Sequence, residues 1–173
     1  VFTISLDPEK STGVEYLKGS LYWHFDGTMQ PVPILASILC AKVLSPTGGD
    51  TEFASTYAAY DELRQLLAGL AVAWNSLFYY DPEPDQAKLE MFMDVGDIEL
   101  PLVWTHKSGR KSLVIGCTAR NIVDMDNKQS ARMLNGLREW ATGEPFRYVH
   151  KWSVGDMVMW DNTGTLHRAT PYP

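Results

Sequence analysis

A chain of 173 residues with 45% hydrophobic and 21% charged residues carries enough apolar material to bury a core, which excludes a disordered class and makes a single compact domain the expectation. Its formal net charge of −6 excludes a broad phosphate-binding surface, and with it nucleic acid as a general partner, so an anionic ligand must be met by local cations. No apolar run approaches the length of a bilayer span, so no membrane partner is expected either.

In chain order, Val1 to Glu9 have neither the basic start nor the apolar centre of an export signal, which points to a cytoplasmic location. Trp23-His24-Phe25-Asp26 follows. Pro31 to Lys42 is apolar but broken by two prolines, and reads as a buried strand. After the Gly48-Gly49-Asp50 turn, Thr51 reads as a β-branched strand residue. From Thr56 to about Leu77, Tyr57, Tyr60, Leu63, Leu66, Leu67, Leu70 and Val72 recur at helical spacing, with Thr56 and Asp61 suited to a helix start.

Asp81-Pro82-Glu83-Pro84-Asp85 reads as an acidic surface loop. Leu100 to Thr105 and Lys111 to Ile115 alternate about the Lys107-Ser108-Gly109 turn as a hairpin. Lys128 to Ala141 predicts a second helix with Ala131, Leu134, Leu137, Trp140 and Ala141 on one face, ended by Gly143. Phe146 to Trp152, Asp156 to Trp160 and Thr165 to Ala169 are short strands separated by turn residues. Short strands at close spacing with two helical inserts predict a mainly β chain, a sandwich or jelly roll. Cys40 and Cys117, flanked by apolar or small residues, read as buried free thiols in a reducing compartment.

One chemical constellation stands out. On an extended segment His24 and Asp26 face the same way, with Phe25 turned into packing. At the far end, a turn over Asp161 to Gly164 feeds a strand that presents Leu166 and His167 to opposite faces. Two imidazoles and one carboxylate form the set that holds non-haem Fe(II) on one face and leaves other positions open. Taken alone, the His-x-Asp pair fits a hydrogen-bonded strand-end turn better than a metal site, and His167 fits a strand-end surface histidine equally well. His106, beside a hairpin turn, and His150, in a strand, read as solvent-facing or hydrogen-bonded residues.

Leu21 to Thr28, Pro46 to Ala54, Pro101 to Leu113, Trp152 to Asp156, Met159 to Asn162 and His167 resemble, in order and spacing, the taurine dioxygenase and 2,4-dichlorophenoxyacetate dioxygenase family. Within it, Thr51-Glu52-Phe53-Ala54 and Val158-Met159-Trp160-Asp161-Asn162 look more like the phenoxyacetate branch. The resemblance covers nearly the whole chain. It implies a double-stranded β-helix of the clavaminate-synthase-like kind and a single dioxygenase catalytic domain over 1–173 that looks shortened at both ends.

The resemblance also implies Fe(II) held by His24, Asp26 and His167, with 2-oxoglutarate as cosubstrate and Thr51 binding its far carboxylate. The implied reaction hydroxylates a small organic acid, an aryloxyalkanoate, sulfonate, sulfate ester or fatty-acid derivative, with O₂, releasing succinate and CO₂. The family's arginine for the far carboxylate is expected beyond Pro173, since Arg168 follows an inward histidine and should face outward. Two other readings stay open: a non-catalytic β-sandwich binding module, and a cupin-type metal enzyme that does not use 2-oxoglutarate. A homo-oligomer also stays open.

Overall fold

A computed structural model describes residues 4–5, 9, 19–28, 30, 32–63, 67, 69–74 and 98–172. Among them a 3₁₀ turn at Gly19–Leu21 precedes the strands β1 (Ala36–Cys40) and β2 (Thr51–Ser55), the helix α1 (Thr56–Leu63) and the strands β3 (Ala71–Trp74), β4 (Ile98–Pro101), β5 (Val103–Thr105), β6 (Lys111–Leu113) and β7 (Ala119–Ile122). The helix α2 (Asn127–Ala141) and strands β8 (Arg147–His150), β9 (Met157–Asp161) and β10 (Thr165–Ala169) follow. The expected mainly β architecture with helical inserts is present.

The described strands pair antiparallel in four groups: β1 with β9, β10-β2-β8, β4-β3-β7, and β5 with β6. β10 lies beside β2 with His167 opposite Phe53 and Ala169 opposite Thr51, so the end of the chain is brought back against its middle. The core lies under these sheets, where Val72, Trp74, Leu102, Leu113, Ile115, Ile122 and Leu166 are fully buried. Each such side chain removed from water contributes about 1.5–3 kcal/mol before entropy is counted.

The helix expected from Thr56 to about Leu77 is shorter. Among the described residues α1 spans Thr56–Leu63, Gly69 sits at φ +90°, and Ala71 to Trp74 pair on both edges as a central strand. A left-handed glycine breaks the helical path, and cross-strand pairing outweighs the apolar periodicity that Leu70 and Val72 suggested. The Ser55 hydroxyl, rather than Thr56 or Asp61, caps the helix by accepting from the Ala58 amide at 3.2 Å. The tail of that expected helix, 75–77, and the acidic run at Asp81 to Asp85 lie outside the described residues.

α2 begins where the Asp126 carboxylate accepts from the amides of Lys128 and Gln129, and it closes at Thr142. Its buried face carries Leu134 and Ala141 as expected, but Ala131 is exposed, and Ser130 and Arg138 complete the face. The Ser130 hydroxyl explains its place, since it accepts from the Ile122 amide at 2.6 Å and joins the helix to β7.

The expected strand from Leu100 to Thr105 is interrupted at Leu102. There the Leu102 amide donates to the Leu70 carbonyl while its own carbonyl accepts from Val114, so the chain passes from one sheet to the next. The strand expected within Pro31 to Lys42 exists, but it is not buried. β1 alternates, with Ile38 59% exposed, and Met159 opposite it on β9 is 68% exposed.

That alternation corrects the reading of one cysteine: Cys40 is exposed, whereas Cys117 is buried. Burial also pushes the Cys117 thiol up to about 12, which keeps it out of the reactive thiolate form. Iodoacetamide at pH 8 is expected to alkylate Cys40 in the folded protein and to reach Cys117 only after denaturation, as read by intact mass and peptide mapping. Equal labelling of both in the native state would contradict this placement.

Candidate metal centre

The site starts from a two-residue bridge. His24 and His167 exchange both backbone hydrogen bonds, amide to carbonyl, at 3.1 Å each, as an isolated antiparallel pair. Residues directly opposite in such a pair share a face, so the two imidazoles come together with ring centroids 4.2 Å apart. The alternation sends Trp23 and Phe25 the other way, into the core at 5% and 7% exposure. Leu166, beside His167, is fully buried on that side as well.

Asp26 enters from the turn that follows. Gly27 takes φ +63° there, and a Cβ on it would come within 2.7 Å of Ile34, so this turn admits glycine alone without rearrangement. Asn162 grips the peptide groups of Asp26. Its Oδ1 accepts from the Asp26 amide at 2.9 Å, and its Nδ2 donates to the carbonyls of Asp26 at 2.7 Å and Ile34 at 3.2 Å. The carboxylate Oδ1 then lies 3.7 Å from His24 Nε2 and 3.5 Å from His167 Nε2, while Oδ2 accepts from the Ser37 hydroxyl at 2.5 Å.

One ligand atom from each of His24, Asp26 and His167 lies within 4.8 Å of the other two, the grouping expected from the sequence. His24 Nδ1 is 2.7 Å from the Tyr22 carbonyl, which can only accept, so the ring hydrogen belongs on Nδ1 and the Nε2 lone pair turns toward the other two residues. His167 stands between Trp160, at 4.7 Å between centroids, and Phe53, at 6.4 Å. Its Nδ1 is buried and meets no hydrogen-bond partner among the described residues.

The charge states suit a cation. Burial, aided by the neighbouring His167, lowers His24 to about 4, so its imidazole is neutral at physiological pH. Burial opposes ionisation of Asp26, but hydrogen bonds from His167 and Ser37 and the nearby imidazoles outweigh it and hold the carboxyl at about 2. A neutral His24 imidazole and an ionised Asp26 carboxylate, with the His167 ring beside them, are a donor set for a divalent first-row metal. Three protein donors leave further coordination positions for small molecules.

The other histidines lie elsewhere. His106 bonds Ser112 at 2.7 Å and the Tyr57 hydroxyl at 3.2 Å, and His150 bonds Asp156 at 3.2 Å. Both are hydrogen-bonded side chains, as expected. Thr51 is buried on β2, two residues from Phe53 and therefore on the face shared with His167. Its Oγ1 accepts from the Trp152 indole at 2.9 Å, which leaves the hydroxyl hydrogen available to another acceptor.

Arg168 points to the opposite face. It meets Glu52 at 2.5 Å and lies over the Trp23 ring at 4.8 Å. Arg147 on β8 joins the same carboxylate at 3.5 Å, so both arginines flanking Thr51's strand are committed to Glu52. Sequence reasoning had assigned no role to Glu52, Asn162 or Ser37. Glu52, between Thr51 and Phe53, and Asn162, after Trp160-Asp161, both lie within stretches that carry the family resemblance. Ser37 does not.

A sequence profile described as "Taurine catabolism dioxygenase TauD, TfdA family" matches residues 1–173. The chain belongs to this family. It is 37% identical over 170 residues to the (S)-phenoxypropionate/alpha-ketoglutarate-dioxygenase of Delftia acidovorans, covering 92% of this chain and 58% of that protein. To the alpha-ketoglutarate-dependent 2,4-dichlorophenoxyacetate dioxygenase of Cupriavidus pinatubonensis it is 40% identical over 159 residues, covering 87% of this chain and 54% of the relative.

The crystal structure of AAD-2 in complex with Mn(II) and N-oxalylglycine superimposes with a TM-score of 0.79 at 36% identity, over 90% of this chain and 64% of that one. The TauD/TfdA jelly roll is thus the fold of this chain, as the family resemblance implied. The chain spans just over half the length of the two enzymes it matches. No helix among the described residues is long and apolar enough to cross a membrane.

Proposed function

We propose that residues 1–173 act as one catalytic domain of an Fe(II)- and 2-oxoglutarate-dependent dioxygenase that hydroxylates a small organic acid and releases succinate and CO₂. The observation that carries this reading is the convergence of His24, Asp26 and His167 on one point in a chain of the TauD/TfdA family. When bound, Fe(II) and 2-oxoglutarate supply the oxidative decarboxylation that activates O₂.

The chain's own residues position and insulate. His24 and His167 offer Nε2 atoms from the two sides of their backbone bridge, and Asp26 offers one negative charge to offset the metal's. Trp160 and Phe53 pack beside His167 and keep water from that ligand. Thr51 donates its hydroxyl hydrogen to the far carboxylate of 2-oxoglutarate, held for that task by the Trp152 indole on its oxygen. The relatives' names favour an aryloxyalkanoate among small organic acids as substrate class, with O₂ as co-reactant.

The test is coupled turnover by the full-length protein. Supplied with Fe(II), 2-oxoglutarate and an aryloxyalkanoate, it is expected to consume O₂ and form succinate in proportion to substrate lost. Substrate conversion without succinate would favour a cupin-type metal enzyme, and absence of metal uptake would favour a binding module. Separately, Thr51→Val is expected to weaken 2-oxoglutarate binding by about 1.5–3 kcal/mol, the value of a hydrogen bond to a charged group, while sparing metal affinity. An unchanged KM for 2-oxoglutarate would make Thr51 a strand residue only.

A further inference from the structure

We infer that Ser37 is a positioning residue that restricts Asp26 to a single metal-binding oxygen and so keeps one more coordination position open for small molecules. This rests on the metal-site reading above. The inference starts from β1, where Ser37 stands opposite Trp160 of β9, with its neighbours Ile38 and Ala36 turned to solvent. Its side chain therefore shares the inward face with Trp160, whose ring lies against His167.

From that face the Ser37 hydroxyl donates to Asp26 Oδ2 at 2.5 Å. It is the one side-chain hydrogen bond to that oxygen among the described residues. The other oxygen, Oδ1, is the one that lies 3.7 Å and 3.5 Å from the two imidazole Nε2 atoms. The two oxygens of one carboxylate are thus given different partners.

The consequence follows from coordination chemistry. A carboxylate free to rotate can bind a divalent ion through one oxygen or through both, and the second mode fills an extra position. Asn162 already fixes the Asp26 main chain from both sides, leaving rotation of the side chain as the remaining freedom. A hydroxyl donor at Oδ2 opposes that rotation and engages one of the lone pairs that a second metal bond could use. Six positions less three protein donors leave three, enough for a bidentate keto acid and O₂ together, and a chelating Asp26 would leave two.

Ser37→Ala and Ser37→Thr in the full-length protein test this, the threonine keeping the hydroxyl on a strand that tolerates β-branching. Fe(II) affinity would be titrated anaerobically, and the Co(II)-substituted protein's visible spectrum would report coordination number. For Ser37→Ala we expect the Co(II) bands to weaken as Asp26 gains a second bond to the ion, without loss of metal affinity, and we expect the wild-type spectrum to return in Ser37→Thr and the metal-free melting temperature to stay unchanged.

An unaltered Co(II) spectrum in Ser37→Ala overturns the inference while leaving the metal site intact. A loss of metal matched by a loss of metal-free stability also overturns it, since Ser37 would then be a packing residue. Failure of the wild-type protein to take up any metal overturns the site reading itself, and this inference with it.

Discussion

Alanine at His24, Asp26 or His167 is expected to lower Fe(II) affinity by more than 100-fold and to abolish turnover in each case. Each substitution removes one of three protein donors, and the remaining two must compete with water for an ion whose hydration is strong. The effects differ in origin. His24→Ala and His167→Ala delete an imidazole nitrogen, while Asp26→Ala deletes the only anionic group of the cluster and leaves the metal's charge uncompensated in a half-buried site. The backbone bridge between His24 and His167 does not depend on either side chain, so all three variants should fold.

His106→Ala and His150→Ala are the controls, because their rings bond Ser112, Tyr57 and Asp156 rather than one another. Metal content after anaerobic loading and desalting measures the effect. Full loading of any one of the three variants would remove that residue from the site.

The second large effect is expected at Trp74→Ala. Trp74 is fully buried at the end of β3, paired with Ile98 on one side and Ala119 on the other. Its ring lies 3.7 Å from where a Cβ on Gly116 would stand, and that same point is 3.5 Å from the His24 Cα and the Trp23 carbonyl, so Gly116 sits between the indole and the segment that carries the first metal ligand. Replacing Trp74 with alanine leaves a cavity costing about 3–5 kcal/mol, which for a chain of this size lowers the melting temperature by on the order of 10 °C. Calorimetry of the metal-free variant checks this, and a shift under roughly 3 °C would mean that the neighbours collapse into the space.

The sequence carried the site more plainly than it carried the strands around it. His24 and Asp26 could be paired from their spacing, because side-chain direction along an extended segment is a local property. His167 could be offered as a third ligand from its strand but joined to His24 only through the family resemblance, since their contact is a long-range pairing that no local pattern encodes. β10 was legible because the Asp161 to Gly164 turn marks its start. β3 was not: Leu70 and Val72 continue a helical spacing, and what makes Ala71 to Trp74 a strand is the presence of β4 and β7 on its two edges.

The burial of β1 was misread for a related reason. A run of apolar residues says nothing about how many faces are covered, and Ile38 and Cys40 turn out to lie on the open one. Asn162 and Ser37 were hidden because their roles depend on meeting Asp26 across 136 and 11 residues, and a polar side chain has no periodicity that would announce such a meeting.

The most direct test of the central claim is anaerobic addition of Fe(II) and then 2-oxoglutarate to the full-length protein, followed by visible absorption. A chelate of the keto acid on iron held by His24, Asp26 and His167 has a weak charge-transfer band, absent with either component alone. The band should appear in the wild-type protein and be lost in Asp26→Ala. No band in the wild-type protein despite bound iron, or an undiminished band in Asp26→Ala, would contradict the account.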